Sequence, residues 1–218
     1  MTREERLNAE RERLLRMKEY ERKYAQYKLI AGIDEAGRGP FAGPVVAGAV
    51  ILDPEKEILY LNDSKKLSEK KREELYDEIM EKAIAVGVGI VDNKTIDEIN
   101  ILQATYLAMR KAIAALAPVP EFVLADAVTI PGIDIPQEGI IKGDAKSVSI
   151  AAGSIIAKVT RDRIMTELDA QYPEYGFAKH KGYPTKAHLE ILSKLPIIDC
   201  YRKSYGPIRK ILAERGTC

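Results

Sequence analysis

Apolar residues cluster in short, evenly punctuated runs along this chain, and the spacing changes from strand-like to helical several times. The runs at 28–34 and 44–52 are rich in β-branched residues and flank a glycine-rich turn, which predicts two strands in a hairpin-like connection. Gly43-Pro44 and Asp53-Pro54 punctuate the second. Ser68 then caps a helix through about Lys82, with Glu69 in its first turn. Residues 84–91 read as a buried strand whose glycines permit close backbone approach. Thr95-Ile96-Asp97-Glu98 has the form of a capping box and opens a helix to about Ala117, which Pro118 and Pro120 end. Residues 121–125 make another strand, with Asp126 at its end, and 128–143 read as loop. From Val148 to Ala170 the pattern is helical, with Ala and Ile on one side and Lys158, Arg161 and Arg163 on the other. Thr185 caps a helix to about Leu195, and Pro207 begins a last one.

Residues 1–27 differ from the rest. They are charge-dense and free of Gly and Pro, with Leu7, Leu14, Met17 and Tyr24 at helical spacing. This predicts an exposed helix packing a narrow stripe on the body, or the remnant of an extension, with the folded body spanning 28–218. No internal repeat is present. The succession predicts an α/β fold with a mixed sheet flanked by helices and a small C-terminal helical lobe.

Composition narrows the class. With 46% hydrophobic and 31% charged residues the chain has the profile of a globular enzyme. No apolar run approaches the roughly 20 residues of a membrane span, and the charged N-terminus does not match a secretory signal, so a cytoplasmic protein is expected. Cys200 and Cys218 form no metal-binding or disulfide pattern and read as free thiols. The net charge of +1 hides an asymmetry: residues 142–218 carry 14 Lys and Arg against 8 Asp and Glu, and residues 1–141 carry 20 against 25. That split suits a basic face for a polyanion and acids gathered elsewhere, or simply a solvated surface.

The chemistry lies in the acids. Hydrolysing a phosphodiester needs an in-line water and stabilisation of a crowded anionic transition state, and two divalent ions about 3.5–4 Å apart supply both. Hard ions such as Mg²⁺ take oxygen ligands. Asp34 and Glu35 end an apolar run; their side chains would alternate faces in a regular strand, so the following turn must twist the backbone for both to serve one site. Asp126 ends an apolar strand, where ligands of open α/β sheets bind, though a turn-forming Asp reads the same way. Asp144 precedes the Ala-rich helix as a ligand, a cap or a partner for a lysine, and Lys146 beside it suits a phosphate. Gly37, Arg38 and Gly39 let backbone N–H groups approach a sugar-phosphate. Lys65 and Lys66 are further phosphate contacts or a solvated pair. His180 and His188 are expected as surface or packing residues.

Taken together, Asp34-Glu35-Ala36-Gly37-Arg38-Gly39-Pro40, the strand-end Asp126, Lys142-Gly143-Asp144 and the helix Ser149 to Arg163 resemble the ribonuclease HII family, in order, from about Lys28 to Pro207. The resemblance implies a ribonuclease H-like fold and a metal-dependent endonuclease. Such an enzyme acts on RNA–DNA hybrids and on single ribonucleotides in duplex DNA, as in ribonucleotide excision repair. It also implies Asp34, Glu35, Asp126 and Asp144 as catalytic ligands of two Mg²⁺ or Mn²⁺ ions, products with 3′-hydroxyl and 5′-phosphate ends, and a monomer. Gly37-Arg38-Gly39 would read the ribose 2′-hydroxyl. Tyr183, in Lys179-His180-Lys181-Gly182-Tyr183-Pro184-Thr185, would press on the deoxyribose after a ribonucleotide. The sister ribonucleases HIII generally carry Glu at the fourth acid and an added N-terminal domain; here the fourth is Asp144 and 27 residues precede the first strand. Tyr201 stands where many relatives have His.

Overall fold

The computed structural model describes residues 2–216. Five strands form one sheet in the order β3-β2-β1-β4-β5: β1 (Ile30–Ala36), β2 (Val45–Ile51), β3 (Ala85–Val91), β4 (Phe122–Asp126) and β5 (Gln137–Ile140). The first three are antiparallel neighbours, and β1, β4 and β5 run parallel, so the sheet is mixed as expected. β5 was not foreseen within the 128–143 loop: its sequence, Gln137-Glu138-Gly139-Ile140, carries one β-branched residue and lies at an edge, so periodicity gives it no signal.

One face is covered by α4 (Asn93–Ala114), whose Ala104, Ala108, Met109 and Ala112 pack on Ala31, Ile33, Ala47 and Ala49. Asp92, not Thr95, is its N-cap, accepting from the Thr95 N–H at 2.8 Å. The helix is broken at Asn100 (φ 66), whose side chain accepts from the N–H groups of Leu102 and Gln103 and so starts the second half afresh.

The other face holds α5 (Val148–Gln171), with α3 (Glu69–Lys82, capped by Ser68) beside it. The backbone of α5 rests directly on the sheet: a Cβ added at Gly48 would lie 2.4 Å from the Gly153 carbonyl oxygen. Burial on nearly every side follows. Arg161, expected on a solvent face, is 1% exposed. A separate cluster built on Phe41, Met165, Tyr175, Phe177 and Tyr201 forms the C-terminal lobe. Its helices are α6 (Phe177–His180), α7 (Lys186–Lys194, capped by Thr185) and α8 (Gly206–Glu214).

Residues before β1 make two helices, α1 (Arg3–Met17) and α2 (Glu19–Lys23), parted at Lys18. Leu14 and Met17 are buried against the α3–α5 side, and Tyr24 stacks on Phe122 with ring centroids 4.0 Å apart. No described helix is long and apolar enough to cross a membrane.

Candidate active site

Strand register brings the acids together. Ile33 of β1 lies beside Ala125 of β4, so Asp34 and Asp126 follow one another out of neighbouring parallel strands at their carboxyl ends. Asp126 pairs with Ile140 of β5, after which the chain turns through Lys142 (φ 58) into the single helical turn Gly143–Ala145. The Asp126 Oδ1 accepts from the Gly143 N–H at 2.6 Å and draws that turn inward. As a result, carboxylate oxygens of Asp34, Asp126 and Asp144 all lie within 4.8 Å of one another, with Asp34 and Asp144 buried.

Glu35 borders this triad rather than joining it. Its Oε1 lies 3.3 Å from Arg38 Nη1, on a strand that continues through Ala36. Glu35 still feels the charges of Asp126 and Lys65.

The electrostatics are those of a cation site. Burial, then the charges of Glu35, Asp126 and Asp144, hold the Asp34 carboxyl well above the usual range, although the Glu35 N–H donates to it at 2.7 Å. Burial also raises Glu35, partly offset by Arg38, and raises Asp144, aided by Asp63 and Asp126. Asp63, unnoticed in the sequence, adds its charge beside the Asp144 carboxyl. Its only local signal is as cap of the turn Ser64–Lys66, accepting from the Lys65 N–H at 2.9 Å. Burial alone would lower Lys65, yet Asp34, Asp63, Asp144 and Asp126 together leave its pKa raised. An all-oxygen donor set with excess negative charge fits a hard divalent ion. Among the described residues, this is the one group of three potential ligands so placed.

The glycine loop after β1 is fixed from below by two buried arginines. Arg202 donates to the carbonyls of Gly37 (2.7 Å), Arg38 (3.1 Å) and Gly43 (2.9 and 3.0 Å). Arg161 donates to Pro44, Ala42 and Lys181, each at 3.0 Å. Burial lowers both, and Arg161, with Arg202 nearby, falls to about 10. Sequence pattern could not find these roles, because an arginine satisfied by carbonyls distant in the chain leaves no periodic trace. Gly37 has φ 96, and a Cβ there would strike the Arg161 side chain at 2.1 Å, so the loop requires glycine at that position. At Gly39 a Cβ would meet only the Tyr183 ring, at 3.7 Å; the loop and Tyr183 therefore adjoin in one groove.

Tyr183 is 38% exposed and rests over Arg161 at 5.8 Å. Beneath it His180 and His188 stack at 3.9 Å, both buried, so the packing role holds and the surface one does not. His188 Nδ1 faces the Tyr183 carbonyl at 2.8 Å and must carry the proton; its Nε2 then accepts from the Tyr201 hydroxyl at 2.8 Å. Burial lowers His188 to about 4, which keeps it neutral. Tyr201 thus closes on His188 inside the lobe. Lys66 and Lys146 are exposed and lie on the flank of the acid cluster, across from α1.

Comparison with known proteins places the whole chain. Residues 31–206 match the sequence model of the family Ribonuclease HII. The ribonuclease HII of Lachnoclostridium phytofermentans is 62% identical over 201 residues, spanning 92% of this chain and 79% of its own. That of Acetivibrio thermocellus is 60% identical over 195 residues, spanning 88% and 76%. The crystal structure of ribonuclease H2 from Pyrococcus horikoshii superposes with a TM-score of 0.74 at 30% identity, covering 87% of this chain and all of that one. By sequence along most of its length and by fold, this chain belongs to the ribonuclease HII family.

Proposed function

We propose that this chain is an endonuclease that hydrolyses the RNA strand of RNA–DNA hybrids. On the same reading it cuts on the 5′ side of single ribonucleotides in duplex DNA, leaving 3′-hydroxyl and 5′-phosphate ends. The observation that carries this reading is the convergence of Asp34, Asp126 and Asp144 within 4.8 Å beside a glycine loop that adjoins Tyr183.

Asp34, Asp126 and Asp144 would hold Mg²⁺ or Mn²⁺, with Glu35 at the border able to reach a second ion once Arg38 engages substrate. Bound there, the metal supplies Lewis acidity and a water of lowered pKa. The chain's own residues do the rest. Burial of Asp34 and Asp144 excludes bulk water and strengthens their field. Arg161 and Arg202 keep the 37–44 loop rigid, so its N–H groups meet the sugar-phosphate without reorganisation. Tyr183 offers a flat apolar face to the sugar on the DNA side of the junction, and Lys65 neutralises charge near the scissile phosphate. One chain contains every one of these groups, which favours action as a monomer.

The test is a duplex with a single embedded ribonucleotide, an RNA–DNA hybrid and an all-DNA duplex, each incubated with Mg²⁺ or Mn²⁺. Metal-dependent cutting of the first two, 5′ to the ribonucleotide, is expected. An intact ribonucleotide-bearing duplex under both metals would defeat the proposal.

A further inference from the structure

The helices α1 and α2 lie outside the residues that match the family model, and, besides pairing with Glu57 and Glu138, they hydrogen-bond to the two segments that frame Asp144. Glu21 Oε1 accepts from the Ser147 hydroxyl (2.5 Å) and the Ser149 N–H (3.0 Å), capping α5 directly after the Asp144 turn. Arg13 Nη2 donates to the Leu61 carbonyl (2.6 Å), and Glu10 Oε1 accepts from the Tyr60 N–H (2.8 Å), holding the segment that leads to Asp63 and Lys65. Glu10 also pairs with Arg13 at 2.6 Å, so Arg13 is fully engaged.

Between α1 and these two segments runs a groove lined by Arg13, Arg16, Lys66, Lys146, Asn62 and Glu19. Arg16, Lys66 and Lys146 are exposed, and none forms an ion pair or a side-chain hydrogen bond among the described residues. Glu19 is the one acid not already committed there. Three unpaired cations facing one groove repel each other, an arrangement that an anion entering between them relieves. The groove is tied to the acid cluster through the chain itself: Lys66 follows Lys65, which feels the charges of the acids, and Lys146 is two residues beyond Asp144.

We infer that Arg16, Lys66 and Lys146 form a phosphate-binding subsite that takes a backbone phosphodiester of the duplex away from the scissile one. The N-terminal helices are therefore part of the substrate groove. This rests on the proposed function, and its occupant is a nucleic-acid backbone phosphate. Arg16 supplies the contact from a segment whose remaining contacts serve to place it.

The test measures binding of an RNA–DNA hybrid in EDTA from 50 to 200 mM KCl for the wild type and for Arg16→Gln, Lys66→Gln and Lys146→Gln. Lys94→Gln on α4, across the sheet, is the control. Loss of one phosphate contact flattens the slope of log affinity against log salt by about 0.9. Between those salt concentrations the wild type should then lose about 3.5-fold more affinity than Arg16→Gln. Lys94→Gln should match the wild type in slope and in kcat at saturating substrate. An Arg16→Gln slope equal to that of the control overturns the subsite while leaving the nuclease reading intact. Wild-type protein that neither binds nor cuts the hybrid overturns both.

Discussion

Replacing Asp34 by Asn should make the metal-free protein more stable while removing its activity. Asp34 has two carboxylates, Asp126 and Asp144, with oxygens within 4.8 Å. At an effective dielectric of about 20, each such pair of full charges repels by about 3.5 kcal/mol. The cluster relieves much of this by taking up protons, consistent with the raised pKa of Asp34, so the recoverable part is about 1–2 kcal/mol. The amide keeps the carbonyl oxygen that accepts from the Glu35 N–H, so the local geometry survives. In a chain of 218 residues that gain corresponds to about 2–8 °C in Tm. The sign with pH is fixed by the direction of the shift. Because the folded Asp34 holds its proton more tightly than the unfolded chain, the wild type loses stability as pH rises from the ordinary carboxylate value through the folded one. The advantage of Asn is therefore absent in acid and complete above the folded pKa. Thermal unfolding in EDTA, repeated with saturating Mg²⁺ or Mn²⁺, tests this: metal should stabilise the wild type and narrow or reverse the gap. Equal melting of the two proteins in EDTA at neutral pH, or a less stable Asn variant, would refute the reasoning.

Activity should fall as pH drops through a range above that of ordinary carboxylates, since Asp34, Glu35 and Asp144 are all raised. More divalent ion should move that acid limb to lower pH, and a limb indifferent to metal concentration would exclude competition between proton and cation. Arg202→Ala orphans the carbonyls of Gly37, Arg38 and Gly43 and should cost about 3 kcal/mol or more, or roughly 6–12 °C in Tm; Lys at that position should not rescue it. Differential scanning calorimetry of the two variants checks this, and full rescue by Lys would mean that charge, not the planar fork, matters. Gly48→Ala, with its Cβ 2.4 Å from the Gly153 carbonyl, should destabilise by about 3 kcal/mol, read from urea midpoints; a neutral result would mean that α5 can lift from the sheet. Tyr183→Ala should impair cutting at a lone ribonucleotide more than cutting of an all-RNA strand, and equal losses in kcat/KM would remove the junction role.

Local rules made much of the fold readable. Ser68 and Thr185 cap the helices expected of them, and the glycines of residues 84–91 do admit a helix closely: a Cβ at Gly89 would lie 1.9 Å from the Ala108 carbonyl oxygen. Misreadings arose where distant contacts override local pattern. Arg161 looks amphipathic in sequence but is buried because three carbonyls from the 42–44 and 181 segments satisfy it. β5 exists because β4 offers it an edge, not because its residues prefer a strand. In the site, Asp34 was readable at the end of an apolar run and Asp126 at the end of a strand, whereas the closeness of Asp63 to Asp144 depends on how the 60–66 segment is held against α1. No spacing within either segment encodes that.

The account depends on a buried acid cluster that binds a hard cation. A calorimetric titration of Mn²⁺ into the wild type and into Asp34→Asn, Asp126→Asn and Asp144→Asn tests it most directly. Saturable binding by the wild type, greatly weakened in all three folded variants, is the predicted result. Wild-type affinity retained in every variant would place the metal elsewhere and contradict the account.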